Sequence, residues 1–216
     1  MVQNIIGRIK EIKELKDLYD SGRPEFVIVQ GRRRIGKTFL VRELFEGQFT
    51  FYHTGLSPAE QKIKEKTLLQ QQLENFYSSL VRHGYEGTMP KSWLQSFDVL
   101  INLLEKKGLD NRQVVFIDEM PWMDTPRSGF IPAFEHFWNG WGSGRNNLML
   151  IVCGSATSWI GDKILNNKGG LYNRTTFEIN LRPFTLKECE EFYKQRQIEM
   201  DRYDQLQAYM IMGGSP

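Results

Sequence analysis

Eight consecutive residues constrain the fold of this 216-residue chain more than any others: Gly31-Arg32-Arg33-Arg34-Ile35-Gly36-Lys37-Thr38, a full match to G-x-x-x-x-G-K-[ST]. Such an element works only between a buried strand and a helix. The glycines let the backbone wrap an anion, and the helix N-terminus aims unpaired N–H groups and its positive dipole end at it. Both flanks are present. Phe26-Val27-Ile28-Val29 is a short apolar run suited to a strand covered on both faces, and residues 36–45 read as a helix. In a loop of this kind Lys37 reaches the β- and γ-phosphates of a nucleoside triphosphate, and the Thr38 hydroxyl ligates Mg2+. Arg32, Arg33 and Arg34 fill the variable positions. Their side chains read as solvated surface, with contact to phosphate or to a partner as the alternative.

The rest of the chain alternates strand-like and helix-like segments, the pattern of an α/β domain with a mostly parallel sheet. Periodicity predicts a helix over 2–19 after a short turn, a second strand over 49–53, one long or two shorter Gln-rich helices over 58–83, and a helix over 93–106. A third strand over 114–117, a helix over 130–141, a fourth strand over 148–152 and a short helix from Ala156 follow. A fifth strand over 175–181 precedes two final helices, 185–196 and 203–212. Thr185 with Glu188 three residues later is a capping-box pattern. Phe130, Phe134, Phe137 and Trp141 recur at helical spacing and read as core. A partner or nucleic-acid surface that also uses Trp122 and Trp138 is the alternative.

The third strand ends in two carboxylates, Val114-Val115-Phe116-Ile117-Asp118-Glu119. A strand beside the phosphate loop would carry Asp118 next to Thr38, to order the Mg2+ shell, and Glu119 as a general base for an attacking water. That pair favours hydrolysis of ATP over transfer to a small molecule. GTP is disfavoured, because Asn167-Lys168-Gly169-Gly170 has glycine where a base-reading segment needs aspartate. After the fourth strand, Ser155 is the candidate polar sensor of the nucleophilic water, with Thr157 second and a helix N-cap as the competing role. Arg174, at the start of the fifth strand, is a candidate for stabilising transition-state charge, in cis or on a neighbouring subunit.

Composition narrows the classes further. A formal net charge of +2 supplies no strong basic field for nucleic acid. No apolar run approaches the ~18 residues a membrane span needs, and no signal peptide is evident, so a cytoplasmic location is expected. Cys153 and Cys189 form no close pair and read as free, packed thiols. His53, His83 and His136 lack metal-ligand spacing, and His53 reads as structural.

Together these residues resemble the archaeal-type ATPases within the AAA+/STAND group of P-loop proteins. Besides the phosphate loop, Ile6-Gly7-Arg8 with Glu11 and Leu15 is similar to the family's N-terminal box, which cradles adenine. Asp118-Glu119-Met120-Pro121-Trp122 looks like its hydrolysis motif. Leu181-Arg182-Pro183-Phe184 resembles an L-x-P-F signature, and Gly213-Gly214-Ser215-Pro216 a G-G-x-P element at the start of a lid. The resemblance implies a three-layer P-loop fold whose five-stranded parallel sheet has the order 5-1-4-3-2. It implies a core over residues 1–183 and the beginning of a helical lid over 184–216. A winged-helix or nuclease-like region would follow beyond the residues present. It further implies ATP and Mg2+ as ligands, with Ile6, Gly7, Arg8, Phe39 and Pro216 joining residues 31–38 around the nucleotide. Homo-oligomers, and DNA or protein partners reached through a C-terminal region, fit the same resemblance, and no membrane does. Three functions follow: an ATPase driving a conformational switch; a slow or non-hydrolysing nucleotide-dependent scaffold linked to DNA or defence; and, less favoured, a small-molecule kinase.

Overall fold

In the computed structural model, which describes residues 5–57, 67–166 and 169–215, five strands form one sheet: β1 (Glu25–Gln30), β2 (Phe49–Thr54), β3 (Gln113–Asp118), β4 (Leu148–Gly154) and β5 (Phe177–Asn180). All pairings are parallel and the order is β2-β3-β4-β1-β5, the expected order read from the other edge. The three central strands β1, β3 and β4 are buried along their whole length, whereas the edge strands are not. Continuous apolar runs therefore mark the centre of the sheet, because a parallel sheet is covered on both faces.

Successive residues of a strand point to opposite faces, and the two cores follow from that. Phe26, Ile28, Val115, Ile117, Leu150 and Val152 face α3 (Leu68–Arg82), α4 (Trp93–Lys106) and α5 (Phe130–Gly140). Val27, Val29, Val114, Phe116, Met149 and Ile151 face α1 (Ile9–Tyr19) and α2 (Lys37–Leu44). Phe130, Phe134, Phe137 and Trp138 are buried in the first core and the half-buried Trp141 packs against it, whereas Trp122 is half-buried and lines a cleft. Both cysteines are free and buried. No helix of the described residues is long and apolar enough to cross a membrane.

Some boundaries differ from the sequence expectation. The first helix starts only at Ile9, preceded by Arg8 in a left-handed conformation (φ 57°). The Gln-rich segment is helical from Leu68, capped reciprocally by Thr67 and Gln70; the expected helix over 58–66 lies outside the described residues. β5 is shorter than expected because the Thr176 side chain, rather than its backbone, accepts from the Phe26 amide (2.9 Å). After β5, α7 (Leu186–Gln195) and α8 (Arg202–Met212) share a small core of Phe184, Cys189 and Tyr193. The Thr185–Glu188 capping box is formed. The Phe184 amide donates to the Gly214 carbonyl (2.8 Å), joining the end of α8 back to the residues that follow β5.

Candidate nucleotide site

The carboxyl ends of parallel strands point the same way, so whatever follows β1, β3 and β4 gathers on one edge of the sheet. The loop after β1 leaves the sheet at Gly31 with φ 146°. A Cβ there would sit 2.4 Å from the Leu181 carbonyl oxygen, so the loop passes too close to the end of β5 for any side chain. The loop turns into α2 at Gly36. Lys37 is buried and folds back over the loop, its Nζ donating to the carbonyls of Gly31 (2.9 Å) and Arg32 (2.7 Å).

The acidic pair arrives from β3. Thr38 Oγ1 donates to Asp118 Oδ2 at 2.9 Å, and Asp118 Oδ1 accepts from the Glu119 amide at 3.0 Å. Burial pushes the Asp118 carboxyl above its ordinary range. Hydrogen bonds from Thr38, the Cys153 thiol and the Glu119 amide, with the Lys37 charge, act against that rise. Burial, reinforced by the Asp118 charge, pushes the Cys153 thiol well up, which keeps it a protonated donor. Glu119 has left-handed backbone (φ 46°), uncommon for a side chain of this kind, and opens a short 3-10 turn at Met120–Met123. Its Oε2 accepts from the Ser155 hydroxyl (3.3 Å) and, at longer range, the Ser155 amide (3.5 Å). Ser155 caps nothing: the N-cap of α6 (Thr157–Ile160) is Ala156. Thr157 is exposed.

Two adjoining clefts meet at Arg34, Gly36 and Phe39. One, of about 430 Å³, is lined by Arg33, Lys37, Thr38, Glu119 and Trp122 among others. The other, of about 450 Å³, is mainly apolar, with Ile5, Ile6, Phe184 and Phe192 in its walls. Arg8 holds this second cleft together. Its guanidinium donates to the carbonyls of Arg182 (2.7 Å) and Ile35 (3.2 Å) and stacks 4.5 Å from the centre of the Phe184 ring. Burial lowers the Arg8 pKa from its usual value, with Glu11 and Glu188 opposing. Ile6 and Arg8 thus form walls of the cleft, and Gly7 lies against Glu188 of α7. Arg32 contributes its carbonyl to Lys37, while its side chain is exposed.

Two expected residues fall elsewhere. Arg174 precedes β5, and β5 runs parallel to β1 with Val27 beside Phe177. That places Arg174 at the amino edge of the sheet, roughly 20 Å of strand away from the phosphate loop. The cis role expected for it is therefore corrected by the direction of the strand. Pro216 lies outside the described residues. One residue was missed. Gln72 of α3, fully buried, donates to the carbonyls of Leu56 and Trp122 (both 2.9 Å) and accepts from the Leu56 amide (3.2 Å), so it pins the turn that follows Glu119. Nothing in the run Gln70-Gln71-Gln72 distinguishes that glutamine from Gln70, which is exposed, or from Gln71, which is also buried.

The profile of the ATPase domain found predominantly in Archaea matches residues 5–216. The chain belongs to this family. The ATPase domain is also 26% identical, over 193 residues and 87% of its length, to an uncharacterized protein of Methanocaldococcus jannaschii, of which it spans 38%. Among solved structures its fold is similar to a Walker-type ATPase of Pyrococcus abyssi (TM-score 0.64, 19% identity, 99% of this chain and 65% of that one). It is also similar to the ORC2 protein of Aeropyrum pernix, solved in ADPNP and ADP complexes (TM-score 0.62, 17% identity, 92% and 54%). The ORC1 protein of the same organism, solved with DNA, matches at TM-score 0.59 and 13% identity over 89% of this chain and 50% of that one. The ATPase domain therefore spans less than two thirds of each of these proteins. Its own donor set suits Mg2+: a hydroxyl and a carboxylate oxygen already in contact at the mouth of a phosphate loop, the small ligand number an ion keeping phosphate and water ligands requires.

Proposed function

We propose that this domain binds MgATP in the paired clefts and hydrolyses it to ADP and phosphate to drive a conformational switch. One observation carries the reading: two segments far apart in the chain meet at the carboxyl edge of the sheet, where Lys37, Thr38 and Glu119 line one cleft and Asp118 is bonded to Thr38 beside it. The loop amides and the α2 N-terminus hold the phosphates. Lys37 exchanges its two carbonyl partners for phosphate oxygens. Thr38 and Asp118 hold the metal. Mg2+ bound there supplies charge neutralisation and orientation of the triphosphate. Glu119 takes a proton from water as the water oxygen bonds to the terminal phosphorus and the bond from that phosphorus to the oxygen of ADP breaks. Adenine is read by the apolar cleft of Ile6, Phe39 and Phe184.

The switch follows from Arg8. It ties the phosphate loop, through Ile35, to residues 182–188, so occupancy of the base cleft bears directly on α7 and α8. In this reading residues 184–216 are the beginning of a lid on the core of residues 1–183. Arg174 can serve catalysis only from a neighbouring subunit, which ties its role to a homo-oligomer. The location is cytoplasmic.

A second reading is a scaffold that holds ATP and hydrolyses it slowly; the engagement of Glu119 by Ser155 favours it. Phosphate release by the wild-type chain and the Glu119→Gln variant separates the two. Under hydrolysis the variant loses ~100-fold or more of the rate and retains bound ATP. Equal, near-zero rates in both proteins would leave the scaffold. Repeating the assay with DNA tests whether the DNA contact of the Aeropyrum ORC1 protein has a counterpart here.

A further inference from the structure

The exposed arginine in the middle of the phosphate loop is wired to the candidate general base. Arg33 Nε donates to Ser155 Oγ at 3.3 Å, and Ser155 Oγ donates to Glu119 Oε2 at 3.3 Å. The direction of this relay is fixed by chemistry. A guanidinium can only donate and a carboxylate can only accept, so the single serine proton must point at Glu119 while Arg33 occupies a hydroxyl lone pair. The Arg33 guanidinium also lies 5.7 Å from the centre of the Trp122 ring. Trp122 belongs to the same turn as Glu119, its amide donating to the Glu119 carbonyl at 3.0 Å. Arg33, Lys37, Thr38, Glu119 and Trp122 line one cleft.

We propose that Arg33 is a positioning residue that senses the terminal phosphate and sets the state of Glu119 through Ser155. The proposal rests on the MgATP reading above and names the regulation of that site. With ADP, or with no nucleotide, Arg33 rests on Ser155 and Trp122, and the serine proton is held on Glu119 Oε2. A terminal phosphate brings anionic oxygens into the cleft. A guanidinium makes two parallel bonds to an anionic phosphate, with both partners charged, against one bond to the neutral Ser155 hydroxyl, so Arg33 transfers to the phosphate. Ser155 is then free to rotate, and Glu119 is released to accept a proton from water. Among the described residues, the bonds to the Glu119–Ser155 pair from the loop arginines come from Arg33 and not from Arg32 or Arg34.

The test uses the 216-residue chain with Arg33→Ala, Arg33→Lys, Ser155→Ala and the Arg33→Ala/Ser155→Ala double variant, each checked for an unchanged melting temperature. Affinities for ADP and for a non-hydrolysable ATP analogue are measured with Mg2+, together with kcat and KM. Arg33→Ala is expected to weaken the analogue by about tenfold while ADP changes by less than about twofold. Arg33→Lys restores part of that ratio through its charge but not all of it, because a lysine cannot keep the planar fork. Ser155→Ala, which removes both the restraint on Glu119 and the resting partner of Arg33, is expected to raise kcat, and the double variant to keep the analogue-to-ADP ratio of Arg33→Ala. An unchanged analogue-to-ADP ratio in Arg33→Ala, or a kcat that falls in Ser155→Ala, overturns the proposal. A wild-type chain that binds ATP but releases no phosphate defeats the hydrolysis reading alone, since the affinity ratio still decides the role of Arg33. A wild-type chain that binds neither nucleotide defeats both.

Discussion

The Thr38 hydroxyl donates to the Asp118 carboxylate across 2.9 Å, so two residues 80 positions apart meet where the first turn of α2 faces the tip of β3. Asp118 is the hub of this corner: it also accepts from the Glu119 amide and the Cys153 thiol. Replacing it by asparagine keeps an acceptor for the Glu119 amide, lets the Thr38 hydroxyl turn and accept from the new NH2 group, and removes the charge. Asp118→Asn is therefore expected to fold with little loss of stability and to need at least about tenfold more Mg2+ for ATP binding. Asp118→Ala strips three donors of their acceptor and should cost about 1–3 kcal/mol as well. Magnesium titrations of nucleotide binding and urea denaturation of both variants check this.

Lys37 reaches its place through bonds to two loop carbonyls, those of Gly31 and Arg32. Removing the ammonium leaves each carbonyl short of one donor, a loss of about 1–3 kcal/mol that the two cores on either side of the sheet should survive, so Lys37→Ala should keep its fold. ATP loses two or more charge-assisted bonds, and its affinity should fall by about a hundredfold or more. Calorimetric titration with ATP reads this directly, and an affinity equal to wild type would refute the role given to Lys37.

The loop's first glycine carries a different prediction. Gly31 has both a positive φ and a backbone oxygen 2.4 Å from where a Cβ would lie, whereas Gly22 has φ 64° in open space. Gly22→Ala should cost about 1 kcal/mol, the left-handed penalty alone. Gly31→Ala must in addition push the loop away from Leu181 and should cost about 2 kcal/mol or more, with weakened ATP binding. Similar chemical-denaturation midpoints for the two variants would contradict the close packing of the loop on the end of β5.

His53 predicts a pH dependence unrelated to the nucleotide. It is fully buried, with Nδ1 2.9 Å from Ser79 Oγ and no partner for Nε2 among the described residues. Burial, with the Arg82 and His83 charges, lowers its pKa from 6.5 to about 3. The unfolded chain therefore binds a proton on this residue between those values while the folded chain does not. Stability is full above pH 6.5 and falls toward pH 3, with a slope of up to about 1.4 kcal/mol per pH unit from this group. His53→Gln should flatten that part of the curve, as read from melting temperatures across the acid range.

Much of the site could be read from spacing. The glycines, lysine and threonine of residues 31–38 and the acids after the third strand are separated by fixed short distances along the chain, and each requires only a strand before it. The capping box at Thr185 and Glu188 is equally local: its bonds close within one helical turn. Ser155 was legible as a candidate, but not its partner. A hydroxyl one residue before a helix N-cap reads much like the N-cap itself, and only the side-by-side register of β3 and β4 shows that it meets Glu119.

The sequence by itself determined the succession of strands and helices, the glycine loop of residues 31–36 between strand and helix and the two carboxylates after the third strand, because these depend on residue type and on hydrogen bonds between near neighbours. Tertiary structure decided what those pieces face. It sent Arg174 to the far edge of the sheet, buried Gln72 behind the turn after Glu119, and set Arg8 between the loop and α7. Those outcomes depend on the direction and register of strands joined by long crossovers, and spacing along the chain carries no record of which distant segment will lie alongside.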